Sequence, residues 1–491
     1  MRLTILTRGS DLARLQGDLV ARRLRAEWPD AAVVTAVRES AGDRDRQTPL
    51  WQLGDKGAFT SDLSDALARG DADIVVHSWK DLPVEPRRDT RVAATLPRED
   101  ARDVLLVRRD AAAGRTPRLT ALTSSPRRAM MLGDLLPVLL PWPVEHVAFA
   151  DVRGNVPTRL RQLVEGKGDA LVVAKAALDR LLDPDSPFPG AARTIRLALD
   201  ACRWMVLPLR EHPAAAAQGA LALEIAASNV ALDGRLQRIS HGATWRAVVR
   251  EREILAGYGG GCHQAIGATV LTPPFGDVTS VRGRTDAGDV LSTWSLIPRA
   301  PQQPKPAPGA IWPGPGETAG VTRRPLDVRD PGDDRGLYVS RDEALPASWT
   351  VGPDRIVWAA GASTWRKLAS RGIWVHGSSE GLGLFAPSAV DCLTGRAMRW
   401  HRLTHADAGT PDALPTYEAD SLLPADLPRR THFYWRSGTE FRRALAAFPD
   451  LRDRWHASGP GHTLTVLTEL AGADRVRPSL GYQEWLQDMT A

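Results

Sequence analysis

Strand-like and helix-like runs alternate over the first two hundred residues, and that alternation restricts the chain to an α/β fold. Leu3-Thr4-Ile5-Leu6 reads as a strand, Ser10 as an N-cap, and Leu12, Leu15 and Leu19 as the apolar stripe of a helix. Val33-Val34 opens another extended run. Leu63, Ala66 and Leu67 continue a helix, and Ile74-Val75-Val76 is a short buried strand that ends at His77. Further units surround Val104–Val107 and Leu171–Val173. Such runs predict mostly parallel sheets covered by helices, with ligands at the carboxyl ends of the strands.

A second feature divides the chain. Seven prolines and three glycines fall between Pro298 and Gly316, a composition that holds neither a helix nor a central strand. It predicts a semi-rigid linker over 299–330, between an N-terminal body and a C-terminal unit at 331–491. The 491 residues suggest about three domains. With 63 Lys+Arg against 58 Asp+Glu the net charge is only +5, which does not mark a nucleic-acid binder. Cys202, Cys262 and Cys392 lie far apart with no CxxC pair, against a zinc ribbon or a disulfide framework. No basic-then-apolar leader precedes the first strand, and no run reaches about 18 apolar residues. The expectation is a cytoplasmic monomer with no metal, nucleic-acid or membrane partner.

Several turns carry chemistry. After the strand at 74–76 comes His77-Ser78-Trp79-Lys80-Asp81-Leu82-Pro83. A carboxylate beside a lysine there can stay ionised, stabilise a developing cation or pass a proton; the plainer reading is a solvated turn before Pro83. Ser124-Ser125-Pro126-Arg127-Arg128 reads as an N-cap and a first helical turn with two arginines at the positive end of the helix dipole, a conflict that an anion resolves. Arg153-Gly154-Asn155-Val156-Pro157-Thr158-Arg159 and Thr7-Arg8-Gly9-Ser10 repeat the pattern. Together they predict a pocket for a polyanion bearing several carboxylates or phosphates. Gly259-Gly260-Gly261-Cys262 clears the approach to one thiol, although a buried cysteine beside a glycine turn has the same composition.

In combination these segments closely resemble the hydroxymethylbilane synthases, also called porphobilinogen deaminases. The resemblance spans roughly 1–298 and includes Lys56-Gly57-x-Phe59, His77 to Pro83, Gln218-Gly219-Ala220 and Gly260-Gly261-Cys262. It implies two periplasmic-binding-protein-like α/β domains enclosing a cleft, 1–98 with 205–237 and 99–204. A small α+β domain at 238–298 would carry the cysteine. It implies a dipyrromethane cofactor in thioether linkage to Cys262, four porphobilinogens joined head to tail with loss of ammonia, and hydroxymethylbilane released by hydrolysis. Asp81 and Lys80 are then the catalytic residues. Arg8, Ser10, Lys56, Ser124, Ser125, Arg127, Arg128, Arg153, Gly154, Arg159 and Arg180 hold the cofactor and the growing linear tetrapyrrole. The sequence departs from the family at Gln52, often lysine, at Asp11, usually proline, and at Ala214–Ala217, where Pro-x-x-Gly is usual before Gln218.

The C-terminal unit resembles a divergent uroporphyrinogen-III synthase, through Gly361-Ala362-Ser363-Thr364-Trp365 with Arg371-Gly372-Ile373-Trp374-Val375 and through Ser458-Gly459-Pro460-Gly461-His462-Thr463. The resemblance implies cyclisation of hydroxymethylbilane with inversion of the last ring, and Tyr417 and Thr463 as contacts. The unit is short for that two-domain fold, so one half is expected to be abbreviated. The alternatives are a non-catalytic anion-binding module using the same cleft, or an active synthase with an inactive C-terminal appendage.

Overall fold

Strand alternation sends Ile5, Ile74 and Val76 to one face of the first sheet and Leu6 and Val75 to the other, so helices cover both faces. The computed structural model describes residues 1–39, 60–259, 265–317, 320–410 and 412–490. The sheet contains β1 (Arg2–Thr7), β2 (Ala32–Val37), β3 (Ile74–Ser78), β4 (Thr90–Ala94) and β10 (Leu221–Ala226) in the order β2-β1-β3-β10-β4. Ser10 caps the helix Asp11–Glu27, whose Val20 and Leu24 pack on Ile5, while Leu63 and Leu67 of the helix Ser61–Arg69 pack on the opposite face.

The second sheet repeats this topology with β5 (Asp103–Arg108), β6 (Arg118–Leu122), β7 (His146–Ala150), β8 (Ala170–Ala174) and β9 (Cys202–Val206), ordered β7-β6-β8-β5-β9. In each sheet the fourth strand, β10 or β5, runs antiparallel to both neighbours. The sequence predicts mostly parallel sheets; the exception arises because each antiparallel strand is the one by which the chain enters from the other lobe. The two crossings, 95–102 and 207–220, join the two lobes. The next strands, β11 (Ala265–Leu271), β12 (Gly276–Arg284) and β13 (Val290–Pro298), form an antiparallel meander. The helix Gly242–Gly257 anchors it: buried Glu251 accepts from Val270 N–H at 2.7 Å and pairs with Arg98 at 2.6 Å.

The proline-rich stretch is not a free spacer. Gln303 is buried and donates to the His456 carbonyl at 2.8 Å, and β14 (Ile311–Trp312) pairs with β21 (His432–Trp435). With β22 (Trp455–Ser458) and β23 (Val476–Pro478) these strands form one parallel lobe, ordered β14-β21-β22-β23. A second lobe contains β15 (Val321–Pro325), β16 (Gly336–Val339), β17 (Val357–Ala359), β18 (Gly377–Ser378), β19 (Trp400–His405) and β20 (Ala413–Ser421), ordered β15-β20-β19-β16-β17-β18. The chain leaves the first of these lobes along β15 and returns along β20, and those two strands pair antiparallel.

The second C-terminal lobe has one helix of more than four residues, Ala362–Ser370, among its described residues. Its remaining cover comes from the N-terminal body. Trp365 and Trp374 share a core with Leu135, Leu139 and Trp142, while Trp358, Val390 and Leu393 share the other face's core with Leu178, Leu199 and Trp204. The sheets meet edge to edge: the Val206 N–H donates to the His376 carbonyl at 2.8 Å. Among the described residues no helix is long and apolar enough to cross a membrane.

Candidate active site

Parallel pairing gathers the charged turns. β1 and β3 are parallel neighbours, so the turn bearing Arg8 and Ser10 and the turn bearing Lys80 and Asp81 open at one edge of the first sheet. In the second sheet, 124–128 follows β6, 153–159 follows β7, and the helix Lys175–Leu182 with Arg180 follows β8. The two edges face each other: Lys80 interacts with the charges of Asp81, Arg128, Asp103 and Arg127, and Arg159 with those of Arg128, Arg153 and Asp81.

Lys80 and Asp81 sit half-buried on a single 3₁₀ turn, Trp79–Asp81. Buried Trp79 anchors the turn against Trp245, with ring centroids 5.2 Å apart. His77, on the preceding strand, turns into the core, 2.9 Å from Glu224. Lys80 Nζ donates to Gln218 Oε1 at 3.1 Å, and Gln218 Nε2 donates to Asp103 Oδ1 at 2.9 Å and to the Ala101 carbonyl at 2.7 Å. Burial lowers the Lys80 pKa to about 8, with Asp81 opposing and Arg128 adding to the shift.

Asp103 organises the second lobe's wall. It is 1% exposed; Oδ2 accepts from Arg127 Nη2 at 2.8 Å and Arg128 Nε at 3.0 Å, and Oδ1 from Arg128 Nη2 at 2.6 Å. His212 Nε2 lies 3.1 Å from Oδ2. Burial alone would raise the carboxyl pKa, but Arg128, Arg127 and His212 hold it well below the usual range. This changes the reading of the arginine pair. Arg127 is buried, with Nη2 on Asp103 and Nη1 on the Pro213 carbonyl at 2.6 Å, which makes it a strut rather than a ligand clamp. Arg128 donates through Nη1 to the Val172 carbonyl as well, at 3.2 Å, which leaves one N–H on each terminal nitrogen for a ligand.

Ser10 and Ser125 are helix N-caps, accepting from Ala13 N–H at 3.3 Å and Arg128 N–H at 3.4 Å. The Ser124 hydroxyl is committed: it donates to the Val152 carbonyl at 2.9 Å and accepts from its N–H at 3.0 Å, tying the two arginine-bearing turns together instead of donating to a ligand. Gly154 has φ +105°, and a Cβ there would fall 2.8 Å from Thr158 Cγ2. Arg159 Nε donates to the Gly154 carbonyl at 2.8 Å. Its partial burial and the guanidiniums of Arg128 and Arg153 lower its pKa to about 10, against Asp81. Arg180 Nη2 reaches the Gly219 carbonyl at 2.7 Å, while its buried Nε has no protein acceptor. Lys56, Phe59, Gln52 and Cys262 lie outside the described residues. Crowded cations with unused donors opposite one half-buried carboxylate fit a ligand bearing several carboxylates.

A family model described as porphobilinogen deaminase, dipyrromethane cofactor binding domain, matches residues 3–233. The porphobilinogen deaminase of Lachnospira eligens is 34% identical over 296 residues, which cover 59% of this chain and 92% of that protein. The chain belongs to the porphobilinogen deaminase family. The deaminases of Leifsonia xyli subsp. xyli, 36% identical over 55% of this chain and 75% of that one, and of Mycolicibacterium gilvum, 37% identical over 54% and 77%, are further relatives. The matched domain makes dipyrromethane the cofactor, and the donor set of the cleft fits it. Sequence reasoning missed Asp103, His212 and the bridging role of Gln218 in this deaminase. One signal was present: Asp103 is a carboxylate opening an otherwise apolar strand, Asp103-Val104-Leu105-Leu106-Val107.

Proposed function

We propose that this porphobilinogen deaminase carries dipyrromethane as a thioether on Cys262, joins four porphobilinogens to it head to tail with loss of ammonia, and releases hydroxymethylbilane by hydrolysis. The observation that carries the reading is Asp81, a half-buried carboxylate opposite Arg128, Arg153 and Arg159 across the cleft. When bound, dipyrromethane supplies the pyrrole carbon at which the first unit is joined. The protein's own part is electrostatic. Asp81 stabilises the cation left when porphobilinogen loses ammonia and takes up the proton displaced on coupling. Arg8, Lys80, Arg128, Arg153, Arg159 and Arg180 hold acetate and propionate arms, with Arg127 behind them as a strut. The intact mass tests this. The purified chain should exceed its sequence mass by two linked pyrroles, and Cys262→Ala should remove the excess. An unmodified mass together with no porphobilinogen consumption overturns the proposal.

The C-terminal unit is proposed to be a uroporphyrinogen-III synthase. Support comes from its two α/β lobes, between which the chain crosses along β15 and β20, and from the side chains at their strand ends. His405 interacts electrostatically with Asp407 and Arg341 of its own lobe and with Arg443 and His462 of the other. A product with many carboxylates suits such a cleft. Tyr417 lies buried in the ladder with its ring 6.1 Å from His405, and half-buried Thr463 stands in the first turn of the helix His462–Ala471. Incubating the whole chain with porphobilinogen should give the type III porphyrin isomer after oxidation. Type I alone means that the unit does not cyclise.

A further inference from the structure

The Asp103 hub is flanked by two segments, and one C-terminal loop grips both. Arg102 and Asp103 point to opposite sides of the chain at the start of β5. Asp103 faces the arginine pair, while Arg102 Nη2 donates to the Pro387 and Ser388 carbonyls at 2.9 and 3.1 Å. Arg102 is 6% exposed and braced by Asp100, with its guanidinium carbon 5.5 Å from the centroid of Trp358. The second segment, 207–213, carries His212, and the Leu207 N–H donates to the Asp103 carbonyl at 2.8 Å. There Glu380 accepts from two backbone amides, Leu209 N–H and Arg210 N–H, each at 2.8 Å. Glu380 is 6% exposed with φ +55°, a left-handed conformation that a non-glycine residue holds only where its surroundings fix it. Nearby, Arg366 pairs with Glu211 at 3.2 Å.

We propose that the loop 380–388 is a positioning element of the deaminase, with Glu380 and the Pro387 and Ser388 carbonyls fixing the two crossings so that Asp103 aims Arg128 into the cleft. Glu380 acts through the backbone of 209–210 and Arg102 through its neighbour; neither touches substrate. The inference rests on the cleft reading given above. Burial raises the Glu380 pKa to about 7, opposed by the two amides and Arg102 and reinforced by Glu211, which itself faces Arg366. Protonation leaves one strong acceptor where two amides need one each.

The test is steady-state kinetics of the full chain across pH 6 to 8. Glu380→Gln should raise KM for porphobilinogen about tenfold, with a smaller change in kcat, as expected for losing one or two charge-assisted hydrogen bonds. The wild-type KM should rise as the pH falls through 7, and the rise should vanish in Glu380→Gln, which cannot titrate. Should that variant fail to fold, Glu380→Asp keeps the charge, shortens the reach, and must show the same rise in KM. A wild-type KM and pH profile in either variant overturns the proposal. Asp81→Asn run alongside separates the two readings: retained turnover there sinks the cleft assignment whatever Glu380 does.

Discussion

Asp103 receives five donors on one carboxylate, and none of its partners is replaceable by water at 1% exposure. Asp103→Asn keeps the shape but leaves two buried guanidiniums facing a neutral amide. A loss of about 3–5 kcal/mol is expected, the cost of breaking a buried ion pair from one side, and urea unfolding followed by fluorescence measures it. Lys80 gives a pH signature. Its pKa falls from 10.5 to about 8 on folding, so the unfolded chain binds more protons between pH 8 and 10.5. Stability carried by this group therefore rises with pH through that window, and the cost of burying the charge is felt below it. Function moves the other way. Losing the Lys80 charge above pH 8 weakens carboxylate binding, so KM should climb there, and Lys80→Arg should flatten the climb.

The second crossing contains a local conflict. Ala217 ends the alanine run before Gln218, and its φ is +66°. The residue is fully buried and its N–H is held by Glu251 Oε2 at 2.7 Å, so the backbone is not free to relax. Ala217→Gly should therefore stabilise the protein by about 1 kcal/mol, the cost of a left-handed Cβ, visible as a higher urea midpoint at unchanged slope. The strands themselves were legible, because apolar runs such as Ile74-Val75-Val76 and Leu171-Val172-Val173 carry their burial in their composition. The antiparallel β5 and β10 were not, since their direction is set by a chain crossing and not by any local pattern. The site divides in the same way. Asp81 and the arginine turns were readable as residues. The demotion of Arg127 to a strut depended on Asp103, which meets it only through tertiary contact, and the commitment of Ser124 depended on Val152.

The lobe containing β15–β20 and the N-terminal body form one hydrophobic structure. Trp374 is 4% exposed, donates Nε1–H to the Trp204 carbonyl at 2.9 Å, and stacks on Trp142 with centroids 6.1 Å apart. Trp365 is fully buried and donates to the Leu139 carbonyl at 3.2 Å. The proline-rich segment packs against the other C-terminal lobe through Gln303, which anchors it there. Removing Trp374 should then cost the whole molecule, about 3–5 kcal/mol by analogy with large-to-small changes in cores. If the units were independent, Trp374→Ala would split thermal unfolding into two steps and shift only the C-terminal one. A shared core predicts one transition, displaced as a unit, with porphobilinogen consumption and the calorimetric signal lost at the same temperature. The same contacts make residues 1–299 expressed alone expose Leu139, Trp142 and Trp204, and that fragment should unfold below the full chain and lose deaminase activity on mild heating while the full chain retains it.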